Sequence, residues 1–417
     1  MGFIVKQLTG LRDWVDDRFP LISLWNDHMG QYYAPKNLNF WYYFGVLSMV
    51  VLVIQIVTGI WLVMNYKPDA NLAFASVEYI MRDVDWGWLI RYMHSTGASF
   101  FFIVVYMHMF RGLMYGSYKQ PRELIWILGM FIYLSLMAEA FFGYLLPWGQ
   151  MSFWGAQVIT SLFGAVPVVG EQLAELIRGD YVISDITLNR FFSFHVIALP
   201  FAIAGLVVLH IIALHEVGSN NPDGVEIKKL KGPNGKPLDG IPFHPYYTVH
   251  DSVAVVVFLM LFSAVVFFAP EMGGYFLEYN NFIPADPMKT PLHIAPVWYF
   301  TPFYSILRAN TVNFFGIDGK LWGVIFMGLG TVIFFLLPWL DRSPVKSIRY
   351  RGPIYKFALT LFVVSFLILG WLGTLPPTTG RTLAAQIFTV VYFLFFILMP
   401  WYTKIDKTKP VPERVTR

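Results

Sequence analysis

Apolar residues in this chain occur in long runs, whereas the helices of a soluble protein carry an apolar stripe on one face. A helix needs about 20 apolar residues to cross a bilayer, and eight runs approach that length. They lie at roughly 41–64, 89–114, 124–146, 187–214, 249–269, 321–340, 354–373 and 383–402, and are called the first to eighth spans. The pattern predicts an all-α integral membrane protein with eight transmembrane helices and both termini on one side.

Composition agrees with a location in the lipid bilayer. Of the 417 residues, 56% are hydrophobic and 13% are charged, whereas a soluble domain is about a quarter charged. The chain has no cysteine, which excludes disulfides, thiolate zinc sites, iron–sulfur clusters and covalently attached haem within it. The net charge of +4 is too small and too dispersed to indicate nucleic-acid binding.

Lysine and arginine are distributed unevenly between the two sides of the predicted spans. Most of the 30 lie in the N-terminal segment, in the loops after the second, fourth and sixth spans, and in the C-terminal tail. Short loops rich in basic residues stay in the cytoplasm. Both termini are therefore expected on the cytoplasmic side.

Histidines occur in a matched pattern in two spans. The second span contains His94 and His108, and the fourth contains His195, His210 and, at its inner end, His215. Separations of 14 and 15 residues place two imidazoles near one face of each helix, with a rise of about 21–22 Å between them. Ionisable residues inside a bilayer are costly and usually functional. Both helices run from outside to inside, so the pairs His94–His195 and His108–His210 can each hold a haem iron with no open position for oxygen.

Glycine spacing in the flanking spans supports the same arrangement. Gly45 and Gly59 in the first span are 14 residues apart, as are Gly129 and Gly143 in the third. Glycine lets a neighbouring group approach a membrane helix closely. The spacing predicts one notch per haem on each flanking helix, although ordinary helix packing is the alternative.

Two arginines lie three residues from histidines of the second span. Arg91 precedes His94, and Arg111 follows His108. Their guanidinium groups can pair with haem propionates. The alternative is that they only anchor the ends of the helix.

Five segments closely resemble cytochrome b of the ubiquinol–cytochrome c reductase family, respiratory complex III. They are GYLLPWGQMSFWGA at 143–156, LNRFFSFH at 188–195, HEVGSNNPDG at 215–224, HPYYT at 244–248 and HIAPVWYFTPFYSILR at 293–308. The resemblance covers nearly the whole chain. It implies a bacterial inner-membrane subunit in which four helices surround two non-covalent b haems.

The resemblance also implies the reaction and its partners. Ubiquinol is expected to be oxidised at an outer site and ubiquinone reduced at an inner site, which contributes to the proton-motive force. One electron goes to a Rieske iron–sulfur protein and one crosses through the haems, with the low-potential haem outside. A membrane-anchored c-type cytochrome is the other partner, and the whole complex is expected to be a homodimer.

The site residues implied by the family fall into two groups. The outer quinol site is lined by Tyr144, Gly155, Pro296, Trp298, Tyr299 and Phe300. The inner quinone site lies near His215, Ser219 and Asp251.

Three features depart from the family. The fourth-span histidines are separated by one residue more than in most respiratory members, and we expect a local distortion near Pro200 to absorb it. The outer motif reads Pro296-Val297-Trp298-Tyr299, so Val297 stands where the family has a glutamate. Beside Asp251, His250 resembles the position of a family lysine, and it either passes protons to quinone or caps a helix.

A replacement for the missing carboxylate is expected because quinol oxidation releases two protons. Glu139 is the lone carboxylate inside the third span, and it lies four residues before Gly143 and five before Tyr144. We expect Glu139 to take the proton role of the motif glutamate. The alternative is a hydrogen bond to a neighbouring helix or to a water beside the haem.

The chain is expected to divide into three parts. Residues 1–216 form the dihaem four-helix domain, 217–248 a cytoplasmic loop whose part at 220–240 is the most flexible, and 249–417 a four-helix domain that carries the outer quinol-site loop. The long outer loops at 147–186 and 270–320 are rich in glycine, proline and aromatic residues, which is typical of ordered functional loops.

Two other functions share part of this pattern. A dihaem anchor of a dehydrogenase or hydrogenase has bis-histidine helices but does not need the long outer loops. A transporter with intramembrane histidines has no haem, and therefore shows no b-type bands in a visible spectrum.

Overall fold

The computed structural model describes residues 2–313, 315–316 and 318–416, and these are mostly helical. The α-helices are α1 Gly2–Asp16, α2 Leu21–Trp25, α3 Tyr43–Val63, α4 Ala73–Arg82, α5 Gly87–Tyr115, α6 Glu123–Leu145, α7 Gln150–Phe163, α8 Gly170–Arg178, α9 Asp185–Ser193, α10 Leu199–Val217, α11 Thr248–Phe268, α12 Thr301–Ala309, α13 Gly319–Val332, α14 Leu337–Leu340, α15 Pro353–Gly373, α16 Thr379–Ile397 and α17 Met399–Ile405. Strands β1 Tyr33–Pro35 and β2 Gly240–Pro242 pair antiparallel and join the N-terminal segment to the inner loop.

Eight helical segments in the described residues are long and apolar enough to cross a membrane, which confirms the predicted number. They are Phe40–Val63, Gly87–Tyr115, Glu123–Leu145, Asp185–Val217, Phe243–Phe268, Gly319–Leu340, Pro353–Gly373 and Thr379–Ile397. The eighth ends earlier than the apolar run suggests. Pro400, in the first turn of α17, has no backbone N–H to continue the preceding helix.

The fourth span is not a regular α-helix. A π-helical turn at Phe194–Ala198 joins α9 to α10, with the N–H of Leu199 donating to the carbonyl of Phe194. A π-helical turn accommodates one extra residue without rotating the following helix by a full step. The distortion expected near Pro200 is therefore present, and the turn contains His195 itself.

The first four spans pack as two helix pairs, with α3 against α5 and α6 against α10. Helix α11 packs against both α3 and α5, and α12 packs against α13, α15 and α16. One hydrophobic core contains buried residues of both halves, including Phe102 of α5 and Phe362 of α15. The division into N- and C-terminal domains therefore describes the order of the spans, because the two halves share a core.

The inner loop at 217–248 is tied to distant segments near both of its ends. Asp223, which is fully buried, accepts hydrogen bonds from Arg349 and from Thr416 of the C-terminal tail. Asp239, also buried, pairs with Arg414. Buried carboxylates need such partners, and the partners here come from segments more than a hundred residues away.

Candidate functional site

The four histidines of the second and fourth spans meet in the two pairs that their spacing predicts. The rings of His94 and His195 are 6.0 Å apart between centroids, with planes at 87°. The rings of His108 and His210 are 6.4 Å apart, with planes at 63°. Two imidazoles bound to one metal have a similar separation between ring centroids. Two metal–nitrogen bonds of about 2 Å each, plus the distance from nitrogen to centroid in each ring, add up to about 6 Å. Each pair is therefore spaced to hold one metal centre between two imidazoles.

Each of the four predicted notch glycines lies against one of these rings. The pairs are Gly45 with His108, Gly59 with His94, Gly129 with His210 and Gly143 with His195. A Cβ added at the first three would lie 3.2–3.3 Å from the ring's Cε1, and at Gly143 it would overlap the ring. The first span thus supports the histidines of the second, and the third span supports those of the fourth.

The glycines also expose backbone carbonyls that orient the rings. His195 Nδ1 lies 3.0 Å from the carbonyl oxygen of Glu139, four residues before Gly143. A carbonyl only accepts, so Nδ1 carries the hydrogen and Nε2 keeps its lone pair for a metal. His94 lies near the backbone of Gln55, four residues before Gly59, and its Nδ1 is 2.9 Å from Thr58 Oγ1.

His108 has a different neighbour from the other three histidines. Its Nδ1 lies 3.3 Å from Nη2 of Arg111, which can only donate. The Arg111 guanidinium also lies over the Tyr42 ring at 4.9 Å.

Arg91, at the outer end of the same helix, lines a cavity of about 310 Å³ together with Tyr92 and Leu277. Both arginines therefore lie where they could pair with acidic groups beside the histidines.

The outer motif packs on the second span. The Tyr299 ring stacks on Phe102 with centroids 4.0 Å apart, and its carbonyl accepts a hydrogen bond of 2.6 Å from Tyr106 Oη. Trp298 Nε1 donates to Ser99 Oγ at 3.0 Å. These contacts hold the motif against the helix that carries His94 and His108. Val297 is only 5% exposed.

The two long outer loops are joined to each other. Gly149 forms an isolated β-bridge with Pro284, and the N–H of Ser152 donates to Asn281 Oδ1 at 2.8 Å. In α7, a Cβ at Gly155 would lie 3.8 Å from the Tyr144 ring. The loops thus form one structure over the outer end of α6, where Tyr144 lies.

Glu139 and Tyr144 face different neighbours, which corrects the expected position of Glu139. Glu139 Oε1 lies 3.1 Å from His195 Nδ1, whereas Tyr144 Oη donates to the carboxylate of Glu278. Five residues correspond to a rotation of about 140° around an α-helix. Glu139 therefore shares the face of Gly143, although it is near Tyr144 along the helix axis.

Sequence reasoning missed Glu278, since no motif marks it. It lies in the outer loop between Tyr275, Phe276 and Tyr279. An acidic residue among aromatic residues was the one signal that could have identified it.

At the inner end of α10, His215 lies beside the N-terminal segment. His28 Nδ1 is 2.6 Å from His215 Nδ1 and the two rings are stacked 4.8 Å apart. The Tyr32 ring lies 4.6 Å from His215 on another side. His28 and Tyr32 were also missed, because they lie in a polar segment far from His215 along the chain.

Of the other inner-site candidates, Ser219 lies beside Tyr32 of this cluster. His250 is exposed in the first turn of α11, edge-on to Tyr247 at 5.8 Å. Among the contacts of the described residues, none joins His250 or Asp251 to His215. Ser219 follows Gly218, the residue that ends α10.

Two family models and several relatives match the chain. Residues 29–218 match the family "Cytochrome b/b6/petB", and residues 284–393 match "Cytochrome b(C-terminal)/b6/petD". "Cytochrome b" of Allochromatium vinosum is 66% identical over 409 residues, which cover 97% of each chain. "Cytochrome b/c1" of Bradyrhizobium diazoefficiens is 48% identical over 97% of this chain and 56% of its own length. The solved structure "Hyperthermophilic respiratory Complex III" matches with a TM-score of 0.86 and 40% identity, covering 94% of this chain and 98% of that one.

Proposed function

From the premise that the chain belongs to the cytochrome b family and serves electron transfer in a respiratory complex of the complex III type, we propose that it oxidises ubiquinol at an outer site and reduces ubiquinone at an inner site through two b haems. The observation that carries the proposal is the pair of bis-imidazole sites at ring separations of 6.0 and 6.4 Å.

The donor set suits two non-covalent haems. His94 and His195 would hold the outer haem and His108 and His210 the inner one, and bound haem would supply one-electron transfer across the membrane. With two imidazoles as protein ligands, each haem would be suited to electron transfer and not to oxygen binding. Four glycines leave room beside the rings.

Two arginines are suited to the haem propionates, Arg91 at the outer site and Arg111 at the inner one. For His108 to bind iron through Nε2, its Nδ1 must carry a hydrogen. Arg111 must then release Nδ1, and a propionate would favour that movement by accepting the guanidinium hydrogen bonds.

The orientation and partners follow from the same proposal. The basic loops support cytoplasmic termini in a bacterium, and the end with His94 and Tyr144 would then face outward. A Rieske iron–sulfur protein would dock at the outer loops, beside a membrane-anchored c-type cytochrome. The relative named "Cytochrome b/c1" supports the second partner. The complex would be a homodimer in the inner membrane.

At the outer site, the chain's own residues would shape a slot for the quinol ring. Tyr144 and Gly155 would form one wall, with Pro296, Trp298, Tyr299 and Phe300 on the other. Trp298 and Tyr299 are fixed to α5 by hydrogen bonds. A fixed aromatic wall orients a flat ring and excludes water from it.

Glu139 would act as a positioning residue for His195. Its carbonyl oxygen and its carboxylate oxygen both lie within 3.1 Å of His195 Nδ1. A carboxylate at this place fixes the ring and its tautomer. This assignment replaces the proton role expected from the sequence.

The electron-transfer proposal is tested on the purified complex. Its reduced-minus-oxidised visible spectrum should show two b-type components, and ubiquinol should reduce a c-type cytochrome. A transporter would show no such bands. A dihaem anchor would show the bands without quinol–cytochrome c reductase activity, and either result would contradict the proposal.

At the inner site, His28 is expected to act with His215 in binding quinone. His28→Ala should weaken quinone binding about tenfold, because it removes one hydrogen-bonding group from the site. The measurement is quinone-dependent reoxidation of the inner haem, with the outer site blocked. His244→Ala is the matched control, because His244 is exposed and contacts Trp25 and Thr248.

Unchanged quinone affinity in His28→Ala would assign His28 a structural role only.

The same assay, applied to His250→Ala across pH 6 to 8, separates the two interpretations of His250. A full rate at every pH indicates a helix-end residue. A rate that falls with rising pH indicates a proton donor to quinone, together with Asp251.

A further inference from the structure

The outer loop brings one carboxylate to the residues assigned to the quinol site. Glu278 is partly buried between short 3₁₀ turns at Met272–Gly274 and Tyr279–Phe282. Its Oε2 accepts the hydrogen bond of Tyr144 Oη. The pKa of the Tyr299 hydroxyl is raised by burial and by the charge of Glu278, so Glu278 lies near both tyrosines.

Glu278 is therefore in the region that lacks the family's motif carboxylate. Val297 is buried and apolar, and it cannot accept a proton. We propose that Glu278, from a different segment of the outer loop, accepts a proton from quinol at the outer site in place of the missing glutamate. This inference rests on the proposed function and adds a catalytic residue to it.

Neighbouring carboxylates are less suited to the role. Glu139 faces His195 on another side of α6. Glu78 pairs with Arg82 at 2.6 Å, and both line the cavity beside Leu277 together with Arg91. Among the described residues, Glu278 has no ion pair with either arginine.

The proton step balances as follows in this proposal. Quinol loses two electrons and two protons and becomes quinone. One electron and one proton would go to the partner iron–sulfur protein. The second electron would pass to the outer haem held by His94 and His195, and the second proton would pass from the quinol hydroxyl to the Glu278 carboxylate. Protonated Glu278 then releases it to outer water past Tyr279, which is 61% exposed.

The acidity of Glu278 suits a proton acceptor near neutral pH. Burial raises its pKa to about 7, against the opposing effect of the hydrogen bond from Tyr144. The unprotonated fraction of the carboxylate therefore increases as the pH rises through 7. An acceptor with a pKa near the working pH is the most effective one.

The test is Glu278→Gln in the purified complex, which keeps the shape of the side chain and removes the titratable group. Ubiquinol–cytochrome c reductase rates are measured from pH 6 to 8, with both b-type signals checked in each variant. The rate at pH 8 should fall at least about tenfold, and its increase with pH should flatten. Glu271→Gln, at a carboxylate of the same loop that has no hydrogen bond to Tyr144 among the described residues, is the matched control and should keep the full rate and profile.

Rescue separates proton transfer from a structural role. Adding Val297→Glu to Glu278→Gln should restore the rate and its pH dependence, because it returns a carboxylate to the motif. Glu278→Asp should keep the pH dependence at a lower rate. The proposal is overturned if Glu278→Gln keeps the full rate. It is also overturned if Glu278→Gln is slow, keeps its pH profile and is not rescued by Val297→Glu. Loss of the pH dependence in Glu139→Gln alone would overturn it as well. A wild-type complex that does not oxidise quinol would instead contradict the proposed function.

Discussion

Replacing His210 by leucine is expected to remove the inner haem and to leave the outer haem in place. The His108–His210 and His94–His195 pairs lie at different levels and rest on different glycines. Without His210, His108 alone would be left to hold the inner haem, and we expect that haem to be lost. Redox titration of the visible spectrum should show one b-type component, and the haem-to-protein ratio should halve.

The matched control for this variant is His215→Leu, five residues further along α10. It removes an imidazole outside both pairs, so both haems should remain. A folded His210→Leu subunit that retained both haems, or lost both, would show that the pairing is different from the one described.

Adding a single methyl group at Gly143 should remove most of the outer haem. A Cβ at this position overlaps the imidazole of His195, which the π-helical turn and the Glu139 carbonyl hold in place. Gly143→Ala must therefore displace the ring from its metal-binding position, because the ring atoms in contact are not the end of a flexible chain. The measurement is the amplitude of the low-potential b-type signal per folded subunit.

The glycines provide a graded series for this prediction. At Gly129 the added Cβ lies 3.3 Å from His210, so Gly129→Ala should weaken the inner haem only moderately. At Gly205 in α10 it meets nothing within 4 Å, and Gly205→Ala should keep both haems. Equal haem content in Gly143→Ala and Gly205→Ala would contradict the role of the notch.

The π-helical turn explains how the chain tolerates its unusual histidine spacing. In a regular α-helix, 15 residues place the second ring about 60° past four full turns. The π-helical turn at Phe194–Ala198 absorbs the extra residue. The angular offset between His195 and His210 is therefore similar to the offset between His94 and His108. Pro200, which has no backbone donor, directly follows the turn and is compatible with it.

The sequence by itself determined the eight spans, the pairing of the four histidines and the position of the supporting glycines. These features depend on the fixed rise and rotation of a helix and on the apolar length of a span, so residue spacing is enough to predict them. It could not predict that Glu139 turns towards His195 and away from Tyr144. Residues near each other along a helix axis can lie on opposite faces, and the neighbouring helices decide which groups they meet.

Only the tertiary structure decided the contacts between distant segments. Glu278 reaches Tyr144 across 134 residues, and His28 reaches His215 across 187. Neither Glu278 nor His28 lies in a periodic segment, so no local pattern indicates its partner. Packing of the outer loops on α6, and of the N-terminal segment against the end of α10, brings them together because buried polar groups must find partners wherever the fold supplies them.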